Sequence, residues 1–460
     1  MNFAVFIDFG STYTKMVCVD LTERRVIATT RVPSTVRHDA AIGLLQCFDV
    51  ARAALGGGNF DSALKLASSS AGGGLRLAVV GLTKSLSIKA GRNACFSAGA
   101  KIVYSQAGHL HDDDVEALAD SKAEILLLCG GYESGNTQGL LHNAETVSRS
   151  RLAIPVIYAG NSSIARNIRS IFNSGNKECF LAENIIPSLA SLNIESTTTV
   201  IRQLFISRIT GMKGIGAVQK LMDAPIEPTP AAVLSAGEIL SCGAASQTGL
   251  GPIMMADIGG ATTDIYSYME NKNYAGAKML GSPDPFAKRT VEGDLGLRES
   301  SASLVQEAGE KRLAEQVGLS ESDLEQAIEK RTSSTEYLAD DKFEKKLDHH
   351  LACAAVNIAA RRHAGRISKE LSNCRLMQRG KNLSEIRMVV GTGGILTNEE
   401  QAAGVLKNMT INASEAGQVL LPETAEVLVD RDYVLFAAGL LRNHDREAAL
   451  SVMKKSLGLF

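Results

Sequence analysis

The residues best suited to chemistry stand in three glycine-rich segments, each closing a short apolar run. Asp8-Phe9-Gly10-Ser11-Thr12-Tyr13-Thr14-Lys15 follows the run that begins at Phe3. Asp257-Ile258-Gly259-Gly260-Ala261-Thr262-Thr263-Asp264 follows the run from Ile253. Val390-Gly391-Thr392-Gly393-Gly394-Ile395-Leu396-Thr397 closes the run from Ile386. In the first two, an aspartate ends a predicted strand, and glycine with small hydroxyl residues makes the turn into the next. Backbone N–H groups in such a turn can cradle phosphate oxygens, and the hydroxyls of Ser11, Thr12, Thr262 and Thr263 add donors. The carboxylates of Asp8 and Asp257 suit a hydrated Mg2+ that bridges phosphates, because that cation prefers hard oxygen ligands. The third segment offers bare backbone at Gly391, Gly393 and Gly394, against which a base and ribose can lie. Any one glycine turn after a strand is commonly only a turn; the weight lies in two similar hairpins and a third turn in one chain.

Other chemistries find little support. There is no G-x-x-x-x-G-K-[ST] phosphate loop and no G-x-G-x-x-G after a strand. His349, His350 and His363 fall on one predicted helix without carboxylates or cysteines at ligand spacing, which makes them core or surface histidines. The eight cysteines form no C-x-x-C pair, so neither a zinc site nor a disulfide scaffold is expected, and reduced thiols in a cytoplasmic protein are. Lys and Arg number 48 against 50 Asp and Glu, a net charge of −2. That balance argues against a partner that is nucleic acid or an acidic membrane. With 5% aromatic residues and no Trp, base-stacking platforms are not expected either. The N-terminus lacks a basic signal-peptide region, and the longest uncharged stretch, 239–256, is broken by Gly, Pro, Ser and Gln, so no membrane span is expected.

The elements that must position the three turns follow from periodicity. Strands are predicted at 3–9, 14–19 and 25–32. From 75 to 185, strands at 75–80, 101–105, 124–129, 155–159 and 179–183 alternate with helices at 83–99, 112–120, 137–149 and 162–172. That alternation predicts a parallel, doubly wound sheet. Helices are predicted over 196–222 and 229–247, strands at 253–258 and 264–268, a charged helical stretch over 297–371, a strand at 386–390 and a last helix from about 432.

The order of the three turns resembles the phosphate-1, phosphate-2 and adenosine motifs of the actin, heat-shock-70 and sugar-kinase ATPases. The resemblance implies an α/β fold of two ribonuclease-H-like lobes with ATP between them, interrupted by an inserted flavodoxin-like module. Residues 1–74 and 186–250 would form lobe I, 75–185 the module, 251–430 lobe II, and 431–460 the C-terminal helices. The helices carrying 231–238 and 434–439 would be the hinge-side connecting elements. A narrower resemblance, to the glutamate mutase accessory family called MutL or GlmL, rests on 8–15, 75–81, 127–136, 154–161, 228–233, 257–264, 288–298 and 390–397. Its most specific marker is Arg289-Thr290-Val291-Glu292-Gly293-Asp294-Leu295-Gly296, while Gly130 to Asn136 departs from that family's more acidic, glycine-richer loop.

This resemblance implies an ATP- and Mg2+-dependent factor that reactivates or assembles an adenosylcobalamin-dependent mutase or aminomutase. It implies that Asp8 and Asp257 organise Mg2+ and the attacking water. Gly10, Ser11, Thr12, Gly259, Gly260, Thr262 and Thr263 would hold phosphates, with Asp264 supporting the second turn, and Gly391, Gly393 and Gly394 would face adenosine. Lys15 is either a phosphate partner or a strand-edge surface lysine. Glu292 or Asp294 either positions water or caps a helix. A small-molecule kinase and a nucleotide-gated scaffold or filament are the alternatives within the same superfamily. The module lacks the D-x-H-x-x-G motif of cobalamin-binding domains, so partner docking is the expected use of it.

Overall fold

Strand Phe3–Phe9 is almost wholly buried, as the central strand of a sheet covered on both faces must be. It pairs antiparallel with Tyr13–Asp20, which pairs antiparallel with Arg25–Pro33. On its other side it pairs parallel with Leu64–Ser69, which pairs parallel with Glu227–Pro228. The five strands of lobe I thus lie in the order 3-2-1-4-5. Lobe II repeats the plan. Ile253–Ile258 carries Thr263–Tyr268 and then Ala287–Glu292 on its antiparallel side, and Met388–Thr392 and then Glu426–Val429 on its parallel side. One topology therefore occurs twice, the pair of ribonuclease-H-like sheets of the actin-like ATPase fold. The structure is a computed structural model that describes residues 2–459 except 11–12, 37, 71–74, 134, 136, 189–190, 211–213, 282, 335–336, 370–374 and 398, and except the side chains of 209–210, 397 and 399–401.

Strand periodicity decides which side chains meet. Ala4 and Phe6, with Val17 and Val19 of the neighbouring strand, share a core with Ile253, Met255, Tyr266 and Tyr268 of lobe II. The same core holds helices Thr229–Cys242 and Leu435–Leu441, the two connecting helices. These helices touch at Gly439, where a Cβ would come within 1.9 Å of the Ala232 carbonyl oxygen, so only glycine permits the approach. Met254, Ala256 and Ile258 point the other way, into a second core built with helices Ser301–Ala308, Glu310–Val317 and Lys342–His363. The far face of the first sheet is covered by helix Ala40–Leu55. Asp8 follows Phe6 by two residues and Asp257 follows Met255 by two. The pleat therefore turns both aspartates toward the connecting helices.

Residues Ser70–Met212 form a second unit, inserted between the fourth and fifth strands of lobe I. Its five strands, Lys101–Ala107, Arg76–Gly81, Ile125–Gly130, Val156–Gly160 and Cys179–Leu181, are all parallel and lie in that order. This 2-1-3-4-5 arrangement is the flavodoxin-like one. Helix Asp112–Asp120 opens on three aspartates, which favour a helix N-terminus. The helix expected over 83–99 instead starts with a π-helical turn, Lys84–Ile88, before Lys89–Ser97. The unit also runs past 185. Helix Glu195–Thr210 packs on Lys89–Ser97, with the Thr198 hydroxyl donating to the Ala94 carbonyl at 3.3 Å and Arg202 to the Ser97 carbonyl at 3.0 Å. Helix Glu195–Thr210, expected in lobe I, thus packs with the module. The helical stretch from 297 ends at His363 and gives way to strand Arg366–Lys369. Among the described residues no helix is long and apolar enough to cross a membrane.

Candidate functional site

The first two turns are closed by the same hydrogen bond. Gly10 N–H donates to the Tyr13 carbonyl at 3.0 Å, and Gly259 N–H donates to the Thr262 carbonyl at 2.9 Å. Each closes a four-residue link between antiparallel strands, with the aspartate two residues before the glycine. Across the ladder Asp8 faces Lys15, and Asp257 faces Asp264. Ser11 and Thr12 lie outside the described residues.

Asp8 is buried and held on both oxygens. Its Oδ1 accepts from the Thr229 hydroxyl at 2.5 Å and the Ser68 hydroxyl at 3.2 Å, and its Oδ2 accepts from the Tyr433 hydroxyl at 3.2 Å. The Lys15 ammonium sits 3.5 Å from the centre of the Tyr433 ring. Lys15 lies on a strand flanked on both sides, so it is not a strand-edge lysine. Burial pulls its ammonium below the ordinary lysine range, opposed by the negative charges of Asp8, Asp257 and Asp430. Carboxylates from both lobes therefore act on this one cation.

Burial, and after it the negative charge of Asp264, pushes the Asp257 carboxyl up to about 7, with Lys15 pulling the other way. Asp264 Oδ2 accepts from Arg289 at 2.8 Å and from the Tyr266 hydroxyl at 3.4 Å, while its buried Oδ1 has no hydrogen-bond partner among the described residues. The residues after Glu292 form a platform beneath the second turn. Leu297 N–H donates to the Gly259 carbonyl at 3.1 Å and Arg298 N–H to the Gly260 carbonyl at 2.7 Å. At Gly296 a Cβ would lie 2.3 Å from the Ala261 carbonyl carbon, so the platform can reach the turn only there with glycine. Thr263 is buried and gives its hydroxyl hydrogen to the Leu295 carbonyl at 2.7 Å, anchoring the platform rather than facing outward. Glu292 and Asp294 both accept from Arg362, at 2.9 and 2.8 Å, and Arg362 also pairs with Glu307 at 2.9 Å. The end of helix Lys342–His363 thus fixes both acids beside the turn, with Glu292 opposite Thr263 in the ladder.

The third turn adjoins the second because its strand is the parallel neighbour of Ile253–Ile258, with Thr392 beside Asp257. Gly393 has φ +106°, and a Cβ there would lie 2.5 Å from the Ile258 carbonyl oxygen and 3.1 Å from Asp257 Oδ1. Gly391 faces the core instead, its missing Cβ 2.5 Å from Leu406, whereas a Cβ on Gly394 meets nothing within 4 Å. Of the three glycines, Gly394 is the one with open space. Thr392 donates to Asp430 Oδ2 at 3.0 Å. Asp430 in turn accepts from the Val434 and Leu435 amides at 2.9 and 3.1 Å, capping the second connecting helix.

Sequence reasoning missed Ser68, Thr229, Asp430 and Tyr433. Thr229-Pro230 is a legible helix start, but nothing local announces that its hydroxyl reaches Asp8. The sequence reading did bring Asp8, Lys15, Asp257 and Gly393 into one neighbourhood, and the structure places them in it.

The family model described as MutL protein matches residues 4–457. Protein MutL of Clostridium tetanomorphum is 33% identical over 460 residues, covering 99% of each chain. Among solved structures, the ethanolamine utilization protein EutJ of Carboxydothermus hydrogenoformans is 10% identical, covering 97% of this chain and 89% of its own, with a TM-score of 0.29. Plasmodium falciparum glycerol kinase with ADP is 9% identical, covering 100% of this chain and 90% of its own, with a TM-score of 0.32.

Proposed function

The chain belongs to the MutL protein family, the glutamate mutase accessory proteins, and from that premise we propose that it binds Mg-ATP between its paired turns and couples hydrolysis to reactivation or assembly of an adenosylcobalamin-dependent mutase, such as glutamate mutase or an aminomutase. One observation carries the nucleotide half of this reading. The same closing hydrogen bond follows the aspartate in two sheets of the same topology, and carboxylates of both lobes act on Lys15.

The residues present fit Mg2+. Asp8 and Asp257 are hard oxygen donors, Asp264 carries a buried oxygen without a partner among the described residues, and Asp257 is pushed up by burial in the absence of enough positive charge. When bound, the cation supplies that charge against the phosphates. The turns at Gly10 and at Gly259 and Gly260 bring backbone close to the phosphate oxygens, which the Gly260 amide and the hydroxyls of Ser11, Thr12 and Thr262 hold, and Lys15 pairs with a phosphate. Gly393 shapes the adenosine side, and the side of Gly394 on which a Cβ would meet nothing within 4 Å lies against the base. The Asp257 carboxylate accepts a hydrogen bond from the attacking water, which Glu292 and Asp294 help orient. The Ser70–Met212 unit is the surface that docks the mutase.

The test is product analysis with Mg-ATP. Release of free phosphate, slowed at least about tenfold by Asp257→Asn with nucleotide affinity retained, is the expected result. A phosphorylated small molecule in place of free phosphate would replace this reading with that of a kinase.

A further inference from the structure

Asp8 is grasped by residues at the starts of both connecting helices. Thr229, the first residue of helix Thr229–Cys242, donates to Oδ1. Tyr433, two residues before helix Leu435–Leu441, donates to Oδ2. The ring of the same tyrosine covers the Lys15 ammonium at 3.5 Å, close enough for a cation–π contact. Tyr433 adopts φ +55°, a left-handed conformation that is uncommon for a bulky residue and persists only where its surroundings enforce it. The enforcement is visible: Asp430 fixes the amides of Val434 and Leu435 immediately after it, and Asp8 holds the phenol.

The second connecting helix is tied by polar contacts to lobe I near both ends, at its start through Tyr433 to Asp8 and at its finish through Arg442 to Glu227 at 2.8 Å. It is tied to lobe II through the Thr392–Asp430 bond. It therefore spans the two lobes, and one of its lobe I ties ends on a proposed ligand-binding residue.

We propose that Tyr433 is a latch that metal-nucleotide binding must lift. Its hydroxyl takes Asp8 Oδ2 and its ring screens Lys15. A hydrated cation at Asp8 with phosphate oxygens at Lys15 competes for both sites. Releasing the phenol frees the strained backbone at 433 and removes one lobe I tie of the helix, so occupancy of the site is transmitted to the crossing at Ala232 and Gly439. This inference rests on the Mg-ATP reading above, and it names the residue through which that site would control the hinge.

The experiment compares wild type with Tyr433→Phe and Tyr433→Leu. It measures the Mg2+ dependence of ATP affinity and the hydrogen exchange of residues 229–242 and 434–441 with and without Mg-ATP. Phe keeps the ring over Lys15 but frees Asp8; Leu frees both. The expected result is a Mg2+ half-saturation lowered about threefold or more by Phe and lowered further by Leu, with the ligand-induced change in exchange reduced in both variants. ATP binding with an unchanged Mg2+ dependence and an unchanged exchange response would overturn the latch and leave the nucleotide reading standing. No ATP binding by any of the three proteins would overturn both.

Discussion

Asp257 stands directly opposite Asp264 in its ladder, at the position where Asp8, its counterpart in the other lobe, stands opposite Lys15. The duplicated turn thus carries an acid–base pair in one lobe and an acid–acid pair in the other. Arg289 offsets the second acid, but from Asp264 Oδ2, leaving Asp257 crowded by negative charge and burial.

A pH dependence follows. The folded-state pKa of Asp257 is raised to about 7, above its ordinary value of 3.8. The folded state therefore binds the extra proton between those limits. Its contribution to stability is complete at low pH and is lost as pH rises through about 7. In nucleotide-free protein, Asp257→Asn should be nearly neutral at pH 4 and more stable than wild type by about 4 kcal/mol at pH 8. Urea unfolding at the two pH values checks this; equal differences at both would contradict the assignment.

The two consecutive glycines of the third turn should separate folding from binding. Gly393→Val meets backbone at 2.5 Å and a positive φ, so it should destabilise the fold by at least about 2 kcal/mol. Gly394→Val meets nothing within 4 Å, so its stability should stay within about 1 kcal/mol while ATP affinity falls about tenfold or more. Thermal melts and nucleotide titrations of the two variants give the comparison; normal ATP affinity in Gly394→Val would move adenosine away from this turn.

Arg362 offers a test of the two acids on the platform. Its ion pairs are partly exposed, and pairs of that kind contribute little to stability, so Arg362→Met should cost no more than about 1–2 kcal/mol. With Glu292 and Asp294 unfixed, turnover should fall about fivefold or more while KM for ATP holds. Unchanged turnover would assign the acids a purely structural role.

The limits of what could be read from the sequence are instructive. Asp8 to Lys15 and Asp257 to Asp264 were legible because a strand end, a glycine turn and a returning strand are contiguous. The module was legible because parallel strands and crossover helices alternate with regular spacing. Strand Leu64–Ser69 was not foreseen: it is short and ends in serines, and it becomes a strand by pairing parallel with Phe3–Phe9, about sixty residues back. Helix Ala40–Leu55 carries readable signals in its Asp39 cap and Gly56 stop, though no strand–turn motif adjoins it. The grip on Asp8 was beyond local reading, since Thr229 and Tyr433 are 221 and 425 residues away in the chain.

Partner docking by the module can be separated from nucleotide binding. The chain leaves lobe I after Ser69 and is back in register beside it at Pro228, while Lys65 and Asp223 already bond to each other at 2.7 Å. Replacing Ser70–Met212 with a short flexible linker should therefore leave lobe I able to close its sheet and bind ATP. Association with the mutase, measured by co-purification at matched concentrations, should be lost. Retention of the full-length affinity for the mutase would place docking elsewhere.

The most direct measurement is the unfolding free energy of the intact chain with and without Mg-ATP. A ligand that binds only the folded state at about 100 times its Kd adds about 2.7 kcal/mol. The account predicts a gain of that size with Mg2+ and ATP together, and a much smaller one with ATP and a chelator. An unfolding free energy unmoved by saturating Mg-ATP would contradict the claim that the paired turns form a nucleotide site.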